Sequence, residues 1–524
     1  MSRPRFLLLA LTLFSFALWG ITVAAKDAAT EKGGYERNTE EARKAKDYVE
    51  LNGPIFEGWT KPEVALLFSG EMNGYLEPCG CTGLENQKGG LKRRHTLLKQ
   101  LEAKGWQIAK FDMGGLTRRR GHQAEIKFRY ALDSLVKLGY DAVGLGSKEL
   151  QLTTDELVYA IANVPPEENP LVSANVGIYS FDSGMTRTHH VVTVGNRRFG
   201  VTSVLGSKYE KLLANVTDVV YRSPSEGLAQ IAPKLAAEKC DTQVLMVYGT
   251  KEEAKLLAQQ FPQFDYLAVA TGGDVPPLKM EAVGNSSSPT RIVEVGHKGM
   301  YVVVVGLYDD PANPIRYQSV PLDGRFDDSE EMQAMMVRYQ QELELQGLDG
   351  LGLNGSPHPQ GKFIGSAACA DCHTTAMEIF EGTPHSHATE SIISISDPSR
   401  HFDPECLSCH VTGWNPQQYF PYASGYMSLE KTPHLRANGC ENCHGPGAAH
   451  VAAEMGEVDV NEAEQEALRA ALRLKIVENE GNKGKQVMPR GGVVENCMRC
   501  HDQDNSPDFD FQKYWEEVKH EGVD

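Results

Sequence analysis

The chain has 524 residues, enough for two to four domains, each with its own core. Its formal net charge is −18, from 52 Lys and Arg against 70 Asp and Glu, and its cations form only short patches such as Arg118 to Arg120. Phosphate binding needs clustered Lys and Arg, so nucleic acid is excluded as a partner, and the acidity reads as a solvated surface that would suit a basic partner.

The N-terminus carries Arg3 and Arg5, then runs uncharged and mostly apolar from Phe6 to Ala25, closing on Val23, Ala24 and Ala25 before Lys26. That is the pattern of a signal peptide over residues 1–25. The run approaches the ~20 residues that span a bilayer, so an uncleaved N-terminal membrane anchor is the alternative. Either reading puts the remainder outside the cytoplasm, periplasmic or otherwise exported. Residues 26–60 are polar and charged with few large apolar side chains, and read as a linker.

Between residues 61 and 325, short β-rich runs such as "VALLF", "QIAKFD", "QVLMVY", "YLAVA" and "MYVVVVGLY" alternate with amphipathic segments such as "QAEIKFRYALDSLVKL". This alternation predicts a layered α/β domain. The first predicted strand leads into "LLFSGEMNGYLEPCGC" (66 to 81), which ends in Cys79 and Cys81. A one-residue gap makes any disulfide between them a small, strained ring, and strained bridges are more often redox-active than structural. A structural bridge, a soft-metal site shared with Glu71 or Asn73, and pairing with Cys240 are the alternatives.

The stretches "GGLKRRHTLLKQL" (89 to 101), "LGYDAVGLGSKEL" (138 to 150) and "PLVSANV" (170 to 176) resemble the UshA-like 5'-nucleotidases, members of the calcineurin-like metallophosphoesterases. The resemblance implies an α-β-β-α sandwich and, in active members, two metals about 3.5 to 4 Å apart that activate water and clamp a phosphoryl group. Those metals sit on D-x-H-G, G-D and G-N-H-E loops and on later histidines. Here the corresponding places read Glu71, Met72, Asn73, Gly74; then Gly114, Gly115; then Gly146, Ser147, Lys148, Glu149; the late-histidine places read "VYGT" (247 to 250) and "ATGGD" (270 to 274). Glu71, Asp112 and Glu149 offer oxygen ligands suited at most to a weak Mg or Ca site, and Lys148 brings a positive charge where a cation would sit. The resemblance therefore implies a phosphoesterase scaffold without its catalytic metals. Some relatives carry selenocysteine in a motif comparable to Cys79 and Cys81, which implies redox work for that pair.

Residues 326–360 combine a charged helical stretch, "DDSEEMQAMMVRYQQELELQ" (327 to 346), with the Gly-rich "GLDGLGLNGSPHPQGK", and mark the join to a second domain over 361–524. That domain holds "CADCH" (369 to 373), "CLSCH" (406 to 410), "CENCH" (440 to 444) and "CMRCH" (497 to 501). Two thiols three positions apart, with histidine directly after, form the c-type haem attachment signal. The pattern predicts four haem c groups held by Cys369, Cys372, Cys406, Cys409, Cys440, Cys443, Cys497 and Cys500, with His373, His410, His444 and His501 as proximal ligands. Zinc on four thiolates is the alternative, but it would not require histidine after every pair. Seven more histidines, His358, His385, His387, His401, His434, His450 and His520, exceed the need for distal ligands.

"GTPHSHATESI" (382 to 392), "CLSCHVTGW" (406 to 414), "GCENCHGPGAAH" (439 to 450) and "CMRCHDQDNSPDF" (497 to 509) resemble the tetrahaem cytochrome c family (cytochrome c-552/4-like) that includes the electron acceptor of hydroxylamine oxidoreductase. The resemblance implies a mostly α-helical and irregular multihaem domain, mostly bis-histidine haems, and distal ligands at His385, His450 and His520. His387 is then an extra, and His401 and His434 read as surface histidines.

Two classes of function fit the whole chain. One is an electron carrier between redox protein partners. The other is a periplasmic reductase that uses an open haem face or the Cys79/Cys81 pair. The surplus of histidines favours the carrier, and an active nucleotidase with a cytochrome tail is disfavoured by the missing metal ligands.

Overall fold

A computed structural model of the chain describes residues 40–78, 82–214, 216–270, 273–284, 288–394, 398–474 and 492–520. The expected signal peptide or anchor and the Cys79/Cys81 pair lie outside the described residues. Within them, no helix is long and apolar enough to cross a membrane.

Two large sheets and a two-stranded ribbon, Val176–Ile178 against Val219–Tyr221, make the first domain. One has the strand order Ile315–Pro321, Tyr301–Leu307, Val64–Ser69, Ile108–Asp112, Ala142–Val143; the other runs Glu281–Val283, Thr290–Val295, Tyr266–Ala270, Thr242–Tyr248, Arg197–Leu205, His190–Val194. The central strands Val64–Ser69 and Tyr301–Leu307 are buried along their whole length, which is why they read as unbroken apolar runs rather than alternating ones. Val244, Met246 and Tyr248 of the second sheet share one core with Leu66, Phe68 and Val303 of the first. The intervening Leu245 and Val247 face the other way, onto Leu228 and Ile231 of the helix Pro224–Ala237 and Leu257 of the helix Lys251–Gln260. Such alternation is the period of two of a strand covered on both faces. The helices Leu91–Ala103 and His122–Lys137 supply Leu97, Leu101, Phe128 and Leu132 to the first sheet's side of the core, so the layers are α-β-β-α.

Residues 40–60 differ from the expected linker. Two short helices, Glu40–Lys44 and Tyr48–Asn52, lead into Phe56 and Trp59, whose rings lie 5.1 Å apart, with Phe56 5.2 Å from Trp106. Asn52 donates to Asp323 at 2.9 Å and Arg325 to the Gly53 carbonyl at 2.7 Å. A few aromatic side chains, placed together, tether a segment whose composition is otherwise polar. The helix Glu330–Gly350 likewise belongs to the sandwich: Met332, Met335, Tyr339 and Leu343 enter its core, and the chain turns at Gly347, where φ is +58°.

Beyond it the chain forms short helices and a two-residue ribbon, Trp414–Asn415 against Phe420–Pro421. Its apolar core is small, centred on Phe363, Leu407, Val411, Trp414 and Tyr426.

Trp106 is only 7% exposed. Trp106→Ala should lower the free energy of unfolding of the sandwich by roughly 3 to 5 kcal/mol, read from chemical denaturation followed by circular dichroism. A loss below ~1 kcal/mol would mean that the aromatic cluster is a surface ornament and residues 40–60 a linker after all.

Candidate haem-binding sites

Each C-x-x-C-H motif occupies about one helical turn. Cys406 to His410 lie in the helix Pro404–His410 and Cys440 to His444 form a helix of their own, while in the first and last motifs the histidine amide donates back to the first cysteine's carbonyl at 2.9 Å (His373 to Cys369, His501 to Cys497). The two thiols of a motif therefore face one side with the imidazole just beyond. Cys240 is free, so a bridge to Cys240 is not formed. Cys369 lies beside Cys440, Cys409 beside Cys500, and Asn496 donates to the Cys443 carbonyl at 2.7 Å. The motifs thus stand in the spatial order first, third, fourth, second. Among the described residues, no group of three or more His, Cys, Asp and Glu side chains forms a metal site.

The histidines suit haem iron. His410 Nδ1 donates to the Ala388 carbonyl at 2.7 Å, His444 Nδ1 to Leu472 at 2.8 Å and His520 Nδ1 to Val518 at 3.0 Å, which leaves each Nε2 with its lone pair. The rings of His385 and His501 are 5.9 Å apart, and those of His444 and His520 5.7 Å. Two imidazoles sharing one ion at ~2 Å per nitrogen have ring centres roughly 6 Å apart. Burial, with His385 beside it, pushes His501 down to about 4, and burial also lowers His385 and His444, so all three are neutral, the form that binds metal. These rings, with Trp414, Tyr514 and Trp515, line a cavity of about 380 Å³. His450 is lowered by burial and by its neighbour His373, against the pull of Glu454. Of the remaining histidines, His387 and His434 are exposed, His401 pairs with Ser399 at 2.6 Å, and His358 meets the Tyr422 ring edge-on, 4.4 Å between centroids.

At the strand ends of the sandwich, the loops that hold metals in the resembled enzymes are zipped together by backbone bonds. Glu71 and Asn73, both at positive φ, donate their amides to the carbonyls of Gly114 and Gly115 at 2.7 Å. A Cβ on Gly114 would come within 2.6 Å of the Gly144 carbonyl, so only glycine fits there. Asp112 is fully buried and accepts from Ser69 Oγ at 2.5 Å, with the Arg94 guanidinium 3.6 Å away. Burial raises its pKa and Arg94 opposes the rise. The positive charge of this region is therefore Arg94, which the sequence reading passed over, while Lys148 is exposed. Glu149 accepts from the Leu116 amide at 2.5 Å, and burial pushes it up to about 7.

The same loops meet the second domain. Lys127 pairs with Glu405 at 2.6 Å and Arg119 approaches it at 3.6 Å; Arg118 pairs with Asp504 at 3.0 Å, and Lys298 also binds Asp504. Burial raises the Glu405 carboxyl, but Lys127 and Arg119 hold it below its ordinary value. Gln123 and Gln340 donate at 2.8 and 3.1 Å to Asp403, the cap of the helix that carries Cys406, Cys409 and His410. Glu77 binds Arg400, and Asn86 donates to Asp508 at 2.5 Å. None of these contacts has a local signature, since the partners lie from 63 to several hundred residues apart.

Residues 368–445 match the family model described as cytochrome c554 and c-prime. The C-terminal segment is similar to c-type cytochromes over these residues. It is similar to cytochrome c-554 of Nitrosomonas europaea, 32% identical over 97 residues, which are 16% of this chain and 39% of that protein. The chain is also similar to the snake venom 5'-nucleotidase of Gloydius brevicauda, 23% identical over 287 residues, 50% of this chain and 48% of that protein. The chain thus spans less than half the length of either curated relative. A solved 5'-nucleotidase precursor from Thermus thermophilus superposes with a TM-score of 0.48 at 15% identity, covering 71% of this chain and 73% of that one. A segment similar to c-type cytochromes, a family whose members bind haem c covalently, thus follows an α/β domain whose sequence is similar to a 5'-nucleotidase.

Glu149 gives a pH test of the buried strand-end loops. Its proton is held more tightly in the folded chain than in the unfolded one, so its stabilising contribution is complete below 4.5 and is lost as pH rises through about 7. Glu149→Gln keeps the acceptor for the Leu116 amide and abolishes the titration. Relative to the wild type, the variant should gain up to about 3 kcal/mol between about pH 5 and about pH 8, by denaturation at each pH. A difference that stays constant over that range would show that Glu149 reaches solvent.

Proposed function

We propose that the chain is an exported electron carrier with four covalently bound haems, serving redox protein partners and not nucleic acid. The observation that carries this reading is the row of four C-x-x-C-H motifs, joined by contacts from first to third to fourth to second, with the rings of His520 and His385 facing His444 and His501. Bound haem supplies one-electron chemistry at its iron. Cys369, Cys372, Cys406, Cys409, Cys440, Cys443, Cys497 and Cys500 would anchor the groups, His373, His410, His444 and His501 would be their proximal ligands, and His385, His450 and His520 their distal ones. Export rests on the signal-peptide pattern of residues 1–25.

In this reading the sandwich is a scaffold without the phosphoesterase metals. Its support is Asp112, committed to Arg94 and Ser69, and a set of strand-end loops zipped to one another and engaged by the cytochrome.

A second reading, a reductase working through a Cys79/Cys81 dithiol, is favoured by the flanking residues: Glu77 and Asn86 both reach the cytochrome. Thiol alkylation with mass spectrometry at set potentials separates the two, since labelling that switches with potential supports the dithiol and labelling that never changes removes it.

The primary reading is tested on the purified protein. The pyridine haemochrome ratio should be near four per chain, with haem stain surviving denaturing electrophoresis; a ratio near zero with bound zinc would overturn it. With added Mn, Mg or Zn the protein should not hydrolyse nucleotides or phosphodiesters. Turnover at enzyme-like rates, lost in Asp112→Ala, would show a working metal site.

A further inference from the structure

The contacts between the two domains fall on the cytochrome at two haem motifs. Glu405 directly precedes Cys406 of the second motif, and Asp504 lies three residues after His501 of the fourth. Each carboxylate receives two cations from the sandwich: Lys127 and Arg119 at the first, Arg118 and Lys298 at the second. Lys127 is deeply buried, its side chain only 8% exposed, and it also donates to the Gly74 carbonyl at 3.1 Å. Arg118 donates to Tyr75 at 2.8 Å, and the Arg119 guanidinium stacks on Tyr419 of the cytochrome. The cations are thus fixed in place by backbone and aromatic partners, and a fixed charge shielded from water acts more strongly than a mobile one at the surface.

We propose that Lys127 and Arg119 set the reduction potential at the second motif, and Arg118 and Lys298 that at the fourth, so that the nucleotidase-like domain serves as an electrostatic partner of the cytochrome. The proposal rests on the four-haem reading above. A haem that gains an electron becomes one charge less positive, and a nearby cation favours that state. Removing one cation leaves the carboxylate with a single positive partner, and the potential falls. Removing the carboxylate leaves the cations unopposed, and the potential rises. Asp403, the acidic neighbour of Glu405, is held by the neutral amides of Gln123 and Gln340, so it contributes the same charge in all variants.

The test is a mediated spectroelectrochemical titration of the four-haem protein. Lys127→Gln should lower one of the four components by about tenfold in its ferrous-to-ferric ratio at fixed potential, about 59 mV for a one-electron couple, and leave the other three in place. Lys127→Arg should restore it, and Glu405→Gln should move the same component upward. Arg118→Gln should lower a different component, which keeps the test alive should the Lys127 variant not fold. Unchanged potentials in Lys127→Gln and Arg118→Gln would overturn the proposal, as would Lys127→Gln and Glu405→Gln moving one component in the same direction, which is the mark of loosened packing. A wild-type haemochrome ratio below four is a separate outcome: it overturns the four-haem reading and the proposal with it.

Discussion

The ion pairs at Glu405 and Asp504 are the constraint on which the arrangement of the chain depends. They join two domains of opposite character, one with a large apolar core and one with very little. A partly buried ion pair stabilises modestly as a whole, and each carboxylate here keeps a second cation when one is removed. The junction therefore fixes register more than it adds stability. Gln123 and Gln340 act in the same way on Asp403, holding the cap of the helix that carries the second motif. The loops engaged are those at the strand ends of the sandwich, where function gathers in folds of this kind.

Much of the chain was legible in its sequence for reasons of physical chemistry. Strands covered on both faces are continuous apolar runs, so "VALLF" and "MYVVVVGLY" stand out, and the cores around them follow. Covalent attachment dictates the spacing of thiols and histidine, so the four motifs need no fold to be seen. The pairings of His385 with His501 and of His520 with His444 were open, because a distal ligand arrives from another segment at no fixed spacing.

Other features were hidden because nothing local encodes them. Arg94, in the charged run "LKRRH", looks like a surface residue; it is 1% exposed and lies against Asp112. Residues 40–60 look like a linker by composition, yet Tyr48, Phe56 and Trp59 are enough to seat them. Lys127 and Glu405 are 278 positions apart, and a charge pair at that separation resembles any two solvated residues.

The central claim is that one chain stores several electrons on closely placed haems. Coulometric reduction of the purified, fully oxidised protein measures this most directly. The account predicts uptake of four electrons per chain, in one-electron steps spread over a range of potential. Uptake of one electron or none would contradict it.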